Sequence, residues 1–345
     1  MIDFTNMDKI FLSSFTSFKI GGTPVVFERI KTEQNLIRAL QYARAQKLRV
    51  HILGGGSNTL FHEGLLSLAV LKIELKGITL VKENKKNVVV EIGAGVPWDE
   101  AVLWAVKHDF SGIEAMSIIP GTTGATPIQN VGAYGQEIKD TLVKVKVMNR
   151  KTFEIKEMTH SECLFSYRNS VFKKKNNPFI ILSVFLSLKK NKKGELIEIP
   201  NYTDVKKYFK EKQKATLREI RRAIIKIRSR KLPNPRMIPN VGSFFKNAVV
   251  SQKVAKKLKN KYEDMPQFQT ERGVKIPAGW LIEKAGLKGF ILGKVQVYEH
   301  NALVLVNINK AEFKDVALLR DKIIKEVFNK FGVVLEQEPV EVGMF

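Results

Sequence analysis

The order of apolar and polar positions along the chain predicts helices and strands in no regular alternation. "PVVFERI" is a short apolar run, and in "TEQNLIRALQYARAQ" after it Leu36, Leu40 and Ala43 share one helical face. "RVHIL" predicts a second strand that runs straight into "GGGSN". "NVVVEIGAG" predicts a strand ending in glycines. Pro97 suits the first turn of a helix over "WDEAVLWAVKHD", where Trp98, Val102 and Val106 recur at i, i+4 and i+8. "TLVKVKVMNR" alternates apolar with basic residues, the signature of a half-buried antiparallel strand. "KTFEIKEM" reads as its hairpin partner and "PFIILSVFLSLKK" as a third strand. "TLREIRRAIIKIRSRK" puts Leu217, Ile220, Ile224 and Ile227 on one stripe and stops at "LPNP", because proline cannot continue a helix. "SQKVAKKLKNKY", "AGWLIEKAG" and "FKDVALLRDKIIKEVFNKFG" predict three further helices, the last closed by Gly332. "VVLEQEPVEV" predicts a final strand. Mixed rather than alternating elements argue an α+β fold over a doubly wound sheet.

At 345 residues the chain is long for one core, which predicts two or three domains. Its 44% hydrophobic and 27% charged content is that of an ordinary globular protein. The opening "MIDFTNMDKIFLSSF" lacks the basic, apolar and small-residue regions of a signal peptide. No run approaches the roughly 20 apolar residues of a membrane span. A cytoplasmic protein with no membrane partner is expected. The lone Cys163 excludes an internal disulfide and reads as a small buried filler. The five histidines show no ligand spacing, so no metal is expected. The net charge of +24 attracts phosphate, whether in nucleic acid, a membrane surface or a nucleotide. Its runs, "KENKK", "KKKNN" and "KKNKKG", sit in polar, loop-like stretches and read as solvated surface. The basic helix 217–230 has no interleaved aromatics of the kind single-strand readers use, so no nucleic-acid partner is expected.

Five stretches can carry chemistry, each with a plainer alternative. "ILGGGSNTLF" delivers three glycines, Ser57 and Asn58 from a strand, which suits either an anion-binding nest of backbone N–H groups or a sharp turn. It is no P-loop, and "GAGVPW" lacks the third glycine of a dinucleotide fingerprint. "IPGTTGATPIQNVGAYG" is too rich in glycine and proline for a regular element, so it marks tight turns or close approach of backbone to a ligand. In "CLFSYRNSVFK", Arg168 beside Tyr167 suits bidentate recognition of an anion or an exposed loop. In "RKLPNPRMIPNVGSFFKN", Ser243 stands between glycine and two phenylalanines, in a dry pocket served by Lys231 and Lys246 or in a loop that the phenylalanines simply pack. In "LEQEPVEVG", Glu336 and Glu338 fall on the same side of a strand, for acid–base work if buried and as solvated residues if not.

In this order, and with "AGWLIEKAGLKGF" and "HNALVLVN", these stretches resemble the UDP-N-acetylenolpyruvoylglucosamine reductase family, from about residue 15 to the C-terminus. "NYTDV" around Tyr202 and the overall length resemble its longer, type I branch. The resemblance implies an FAD-binding domain of the vanillyl-alcohol-oxidase type plus a C-terminal α+β substrate-binding domain. The first is made of two α+β subdomains, 1–78 and 79–232 (completed by 332–345), and the second spans 233–331. It implies FAD as cofactor, NADPH as hydride-donating co-substrate, and an enolpyruvyl ether of a UDP-sugar as substrate, in peptidoglycan precursor synthesis by a monomer. FAD would be cradled by Gly54, Gly55, Gly56, Ser57 and Asn58 together with Pro120, Gly121, Thr122, Thr123, Gly124, Gln129, Asn130, Gly132, Ala133 and Tyr134. Arg168 and Glu338 would polarise the substrate carboxylate and Ser243 would donate a proton to carbon. Tyr167, Arg168, Tyr202, Lys231, Asn247 and Asn301 would hold the UDP-sugar. The chain departs from the family pattern with Asn301 in place of a common glutamine and Ala248 in place of a common proline. Pro339 restricts Glu338 to extended backbone, and Glu336 is the alternative carboxylate should the register differ.

Overall fold

The computed structural model describes residues 10–210 and 212–343, whose contacts form two compact units. The larger comprises Val25–Gly55 and Ser67–Arg230. In it, α1 (Glu33–Ala45) starts at Thr32, whose hydroxyl accepts the Asn35 N–H at 3.1 Å, and buries Leu36, Ala39, Leu40 and Ala43. A three-stranded sheet runs in the order Thr23–Ile30, Leu65–Ile73, Arg49–Leu53, the last two parallel. A six-stranded sheet includes, in spatial order, Ile155–Thr159, Leu142–Asn149, Phe179–Lys190, Asn87–Gly93 and Ile78–Glu83, all antiparallel. The predicted hairpin is therefore present, with Lys144 opposite Thr159. α2 (Trp98–Lys107) buries Trp98, Ala101, Val102, Ala105 and Val106. The main apolar core, from Ile30 and Leu36 to Val184 and Leu186, draws on both sheets, and a smaller cluster holds Ile220, Ile224 and Ile227 of the helix that follows.

Two more helices complete this unit. α3 (Thr203–Phe209) stands between the paired strands Ile197–Glu198 and Lys214–Ala215. α4 (Leu217–Lys231) buries the predicted stripe Leu217, Ile220, Ile224 and Ile227, and with it Arg221. An arginine among core aliphatics requires a partner, because an uncompensated buried charge is costly.

The smaller unit takes Gly56–Leu66, Lys231 onward and the chain up to Pro24. Its four-stranded antiparallel sheet has the order Asn240–Ser243, Val304–Asn307, Val295–Val297, Ile291–Leu292. A three-stranded sheet places Gly273–Ile276 between Ala248–Val250 and Phe268–Thr270. α5 (Gln252–Lys261), α6 (Ala278–Lys284) and α7 (Phe313–Phe331) are the predicted helices. α7 ends at Gly332, whose φ of +66° suits glycine and whose N–H donates to the Phe328 carbonyl at 2.7 Å. Among the described residues no helix is long and apolar enough to cross a membrane.

The end of the chain differs from expectation. Only Val340–Val342 is a strand, parallel to Thr59–Phe61, with Val340 opposite Thr59. Pro339 offers no N–H to a ladder, and the regular pairing starts just after it. Described residues beyond Gly332 belong to the same compact unit as Lys231 onward.

Candidate functional site

In the larger unit the two glycine-rich loops meet. A Cβ on Gly54 would stand 2.6 Å from Thr122 Oγ1, and one on Gly55 would stand 2.7 Å from the Gly121 Cα. A Cβ on Gly124 would stand 2.5 Å from the Ala94 Cβ. Their missing side chains therefore admit neighbouring backbone, a requirement that the sequence could not separate from close approach of a ligand. The second loop is pinned from behind by the segment leading into α2. Gly124 N–H donates to Ala94 O at 2.9 Å, Thr123 N–H to Val96 O at 2.8 Å and Trp98 N–H to Gly121 O at 3.0 Å. Thr123 Oγ1 donates to Val96 O and Thr126 Oγ1 to Thr123 O, so these hydroxyls organise the loop itself.

Asn130 is fully buried, with φ +46°, and its side-chain amide donates to Glu137 Oε2 at 2.9 Å and to Ser166 O at 3.4 Å. Its Oδ1 accepts the Lys139 N–H. Ser170 Oγ donates to Ile128 O at 2.7 Å, so the glycine stretch is tied twice to the loop that carries Arg168. In that loop Ser166 and Asn169 bridge across Tyr167 and Arg168, and the guanidinium lies 5.6 Å from the Tyr167 ring. Gly132–Ala133 and Gln136–Glu137 form a hairpin whose turn residues Tyr134 and Gly135 have φ +52° and +87°, as the twist of a tight hairpin demands. Tyr134 meets the Tyr202 ring edge-on at 5.2 Å. Burial pushes the Tyr134 hydroxyl above its ordinary range although the Arg228 guanidinium, hydrogen-bonded to it, pulls the other way. The Nε of Arg228 has no partner among the described residues. Tyr202 occupies the N-cap position of α3, so the "NYTDV" segment leads into a short helix. Asp99, Arg221 and Arg228, which surround this region, carry no motif in the sequence. The one local signal is acid in the first turn of a predicted helix.

The smaller unit gathers a second group. Ser243 ends the strand Asn240–Ser243, and the rings of Phe244 and Phe245 beyond it are fully buried, 5.1 Å apart. Phe244 N–H donates to Leu303 O at 2.8 Å, and its carbonyl accepts the Glu338 N–H at 2.9 Å. Glu338 is 9% exposed, whereas Glu336 lies outside and pairs with Lys246. The two carboxylates expected to share one side thus have different surroundings, and only Glu338 is interior. Asn58 Nδ2 donates to Glu338 O at 3.4 Å, and Asn58 O accepts the Val340 N–H at 2.9 Å. Gly56 has φ +63°, and a Cβ there would stand 2.0 Å from the Phe15 carbonyl. Asn247 Oδ1 accepts the Ala278 N–H at 3.0 Å at the start of α6, and Asn301 Oδ1 accepts the Leu303 N–H at 3.1 Å. The segments that carry Ser243, Glu338, Asn58 and Asn301 are thus linked through Phe244 and Leu303, Asn247 is bonded separately to the start of α6, and Lys231 is exposed at the end of α4.

Two titrating groups fall outside this chemistry. Burial pushes the Cys163 thiol up to about 12, with Glu162 adding to it, so it carries no thiolate at neutral pH and is the filler that its context predicts. Burial, and then Arg150, pull the His51 imidazole down to about 4. An unfolded chain binds that proton near pH 6.5, so stability from neutral His51 is full above pH 6.5 and is lost as pH falls towards 4. Urea titrations are expected to show a loss on the order of 2 kcal/mol from this group over that window, absent in His51→Gln.

The larger unit's donor set suits an anionic, phosphate-bearing cofactor. It offers backbone loops with left-handed residues at Gly121, Asn130 and Tyr134, beside the N-terminus of α2 and the Arg228 guanidinium. Residues 24–156 match the family of FAD binding domains, which makes the chain a flavoprotein. Residues 234–342 match the C-terminal domain of UDP-N-acetylenolpyruvoylglucosamine reductase. The UDP-N-acetylenolpyruvoylglucosamine reductase of Flavobacterium johnsoniae is 39% identical over 331 residues, 95% of this chain and 96% of that one. That of Pseudomonas fluorescens is 37% identical over 334 residues, 96% and 97% of the two chains. The chain belongs to the UDP-N-acetylenolpyruvoylglucosamine reductase family. Its fold is that of the UDP-N-acetylenolpyruvylglucosamine reductase from Thermus caldophilus, with a TM-score of 0.68 over 98% of this chain and 99% of that one, at 20% identity.

Proposed function

We propose that the protein reduces the enolpyruvyl ether of UDP-N-acetylglucosamine to UDP-N-acetylmuramate, with NADPH as electron source, as a cytoplasmic monomer. When bound, FAD supplies the redox chemistry that passes a hydride from NADPH to the enolpyruvyl methylene carbon. The chain's residues have two tasks. The carbon beside the carboxylate must receive a proton, and the charge growing into that carboxylate must be stabilised. Ser243 is the proton donor, and Arg168 and Glu338 act on the carboxylate. A serine hydroxyl is a feeble acid in water, so it serves only when fixed in place and shielded from solvent. Tyr167, Tyr202, Lys231, Asn247 and Asn301 hold the UDP-sugar.

The observation that carries this reading is the 2.9 Å bond from Glu338 N–H to Phe244 O, which sets an interior carboxylic side chain on the segment paired with the residue after Ser243. Support for fixity comes from the two buried phenylalanines that follow the serine. Under anaerobic conditions NADPH is expected to bleach the flavin of the yellow purified protein, and the enolpyruvyl sugar nucleotide to restore its colour. A bleached flavin that oxygen reoxidises and the sugar nucleotide does not would overturn the assignment.

A further inference from the structure

Ile118 has φ +52°, and a β-branched residue in that left-handed region is a genuine outlier. Such a backbone persists only where its surroundings enforce it. Here the enforcing group is visible. The Ile118 N–H donates to Asp99 Oδ1 at 2.7 Å. Asp99 is in turn gripped through both oxygens by Arg221, at 2.6 and 2.8 Å. Arg221 is 9% exposed and fixed on the apolar face of α4, so its planar fork presents the carboxylate in one orientation. Burial on its own would raise the Asp99 carboxyl, but the Arg221 hydrogen bonds, the Ile118 N–H and the Arg221 and Arg228 charges outweigh it and keep Asp99 ionised.

The other bonds that hold this stretch fall on either side of Ile118. The Trp98 indole donates to Met116 O at 3.1 Å before it, and the main-chain bonds at Gly121, Thr123 and Gly124 come after it. The Asp99 carboxylate is the charged acceptor that lands on the strained residue itself. A change of sign in φ at Ile118 would redirect the chain as it enters Ile119, Pro120 and Gly121. These residues belong to the matched FAD binding domain.

We propose that Asp99 and Arg221 form a positioning pair: they hold Ile118 left-handed and thereby set the path of Pro120, Gly121 and Thr122 for FAD. This rests on the FAD reading given above. Neither residue needs to touch the cofactor. The pair joins the start of α2 to the middle of α4, residues 122 apart in sequence, so no local motif announces it.

The test measures the dissociation constant of FAD from the holoenzyme, by the fluorescence of flavin released on dilution. Asp99→Ala is expected to weaken FAD by roughly 10- to 100-fold, the cost of an unenforced left-handed residue. Ile118→Gly alone is expected to stay within about threefold of wild type, because glycine takes positive φ freely. Asp99→Ala combined with Ile118→Gly is expected to recover to within about threefold of Ile118→Gly. A role limited to general stability would show no such recovery. Asp99→Ala leaves Arg221 buried and uncompensated, so Asp99→Ala with Arg221→Leu is measured beside it, and the same loss of FAD is expected. Should Asp99→Ala fail to fold, Asp99→Asn keeps an acceptor without the charge, and a smaller loss, again reversed by Ile118→Gly, is expected. Wild-type affinity in Asp99→Ala, or no recovery in the double variant, would overturn the positioning role while FAD binding by the wild type stands. A wild-type protein that binds no FAD would instead overturn the cofactor reading itself.

Discussion

Ser243→Ala is expected to leave reduction of the flavin by NADPH within about twofold of wild type while slowing reduction of the enolpyruvyl substrate by roughly 100- to 10,000-fold. The asymmetry follows from the chemistry. Only the second half-reaction needs a proton delivered to carbon, and loss of the donor leaves hydride transfer without its completing step. The substitution removes one hydroxyl from a half-buried strand end, while Phe244 and Phe245 keep the segment packed, so the fold should be little affected. Stopped-flow traces of the two halves decide the matter, since equal slowing in both would remove Ser243 from the proton-donor role. The neighbouring carboxylates give a matched contrast. Glu338→Gln is expected to slow the second half by roughly 100-fold or more, and Glu336→Gln to leave it near wild type, because Glu336 is solvent-exposed and pairs with Lys246.

What the sequence reveals of this molecule depends on how local the governing physics is. Helices α4 and α7 could be read directly, because one apolar stripe and one terminating residue, proline or Gly332, define each of them. The strand Leu65–Ile73 left no such trace. It lies between Thr23–Ile30 and Arg49–Leu53, parallel to the latter, and its buried run shows little alternation. The final strand looks longer in the sequence than it is because Val333 and Leu335 continue an alternation that Pro339 interrupts before the ladder begins. Tyr202 and Tyr134, 68 positions apart by number, could each be singled out from the sequence, but not their ring contact. Asp99 shows only as an acid in the first turn of a predicted helix and Arg221 not at all, since their meaning lies in a bidentate pair that only the folded chain creates.

The glycines are the place where sequence left two readings open, and substitution at Gly55 separates them. Gly55→Ala would place its Cβ 2.7 Å from the Gly121 Cα and 3.1 Å from its carbonyl carbon. That backbone cannot yield easily, because Gly121 O already accepts the Trp98 N–H at 3.0 Å. Overpacking against fixed backbone typically costs about 1–3 kcal/mol and occasionally more, and the upper end is expected here. For a unit of this size it lowers Tm by roughly 6–12 °C. Gly54→Ala is a milder case, since the Cβ would meet Thr122 Oγ1 at 2.6 Å, a side-chain atom that can rotate away. Its cost is expected to be about 1 kcal/mol, and Thr122→Ala should relieve it while doing nothing for Gly55→Ala. Calorimetry of the four variants without added FAD tests the loop-packing account, which fails if Gly55→Ala melts with the wild type. In that event a selective loss of FAD in Gly55→Ala would show that the absent side chain makes room for the cofactor, the other meaning that a glycine at the end of a strand can have.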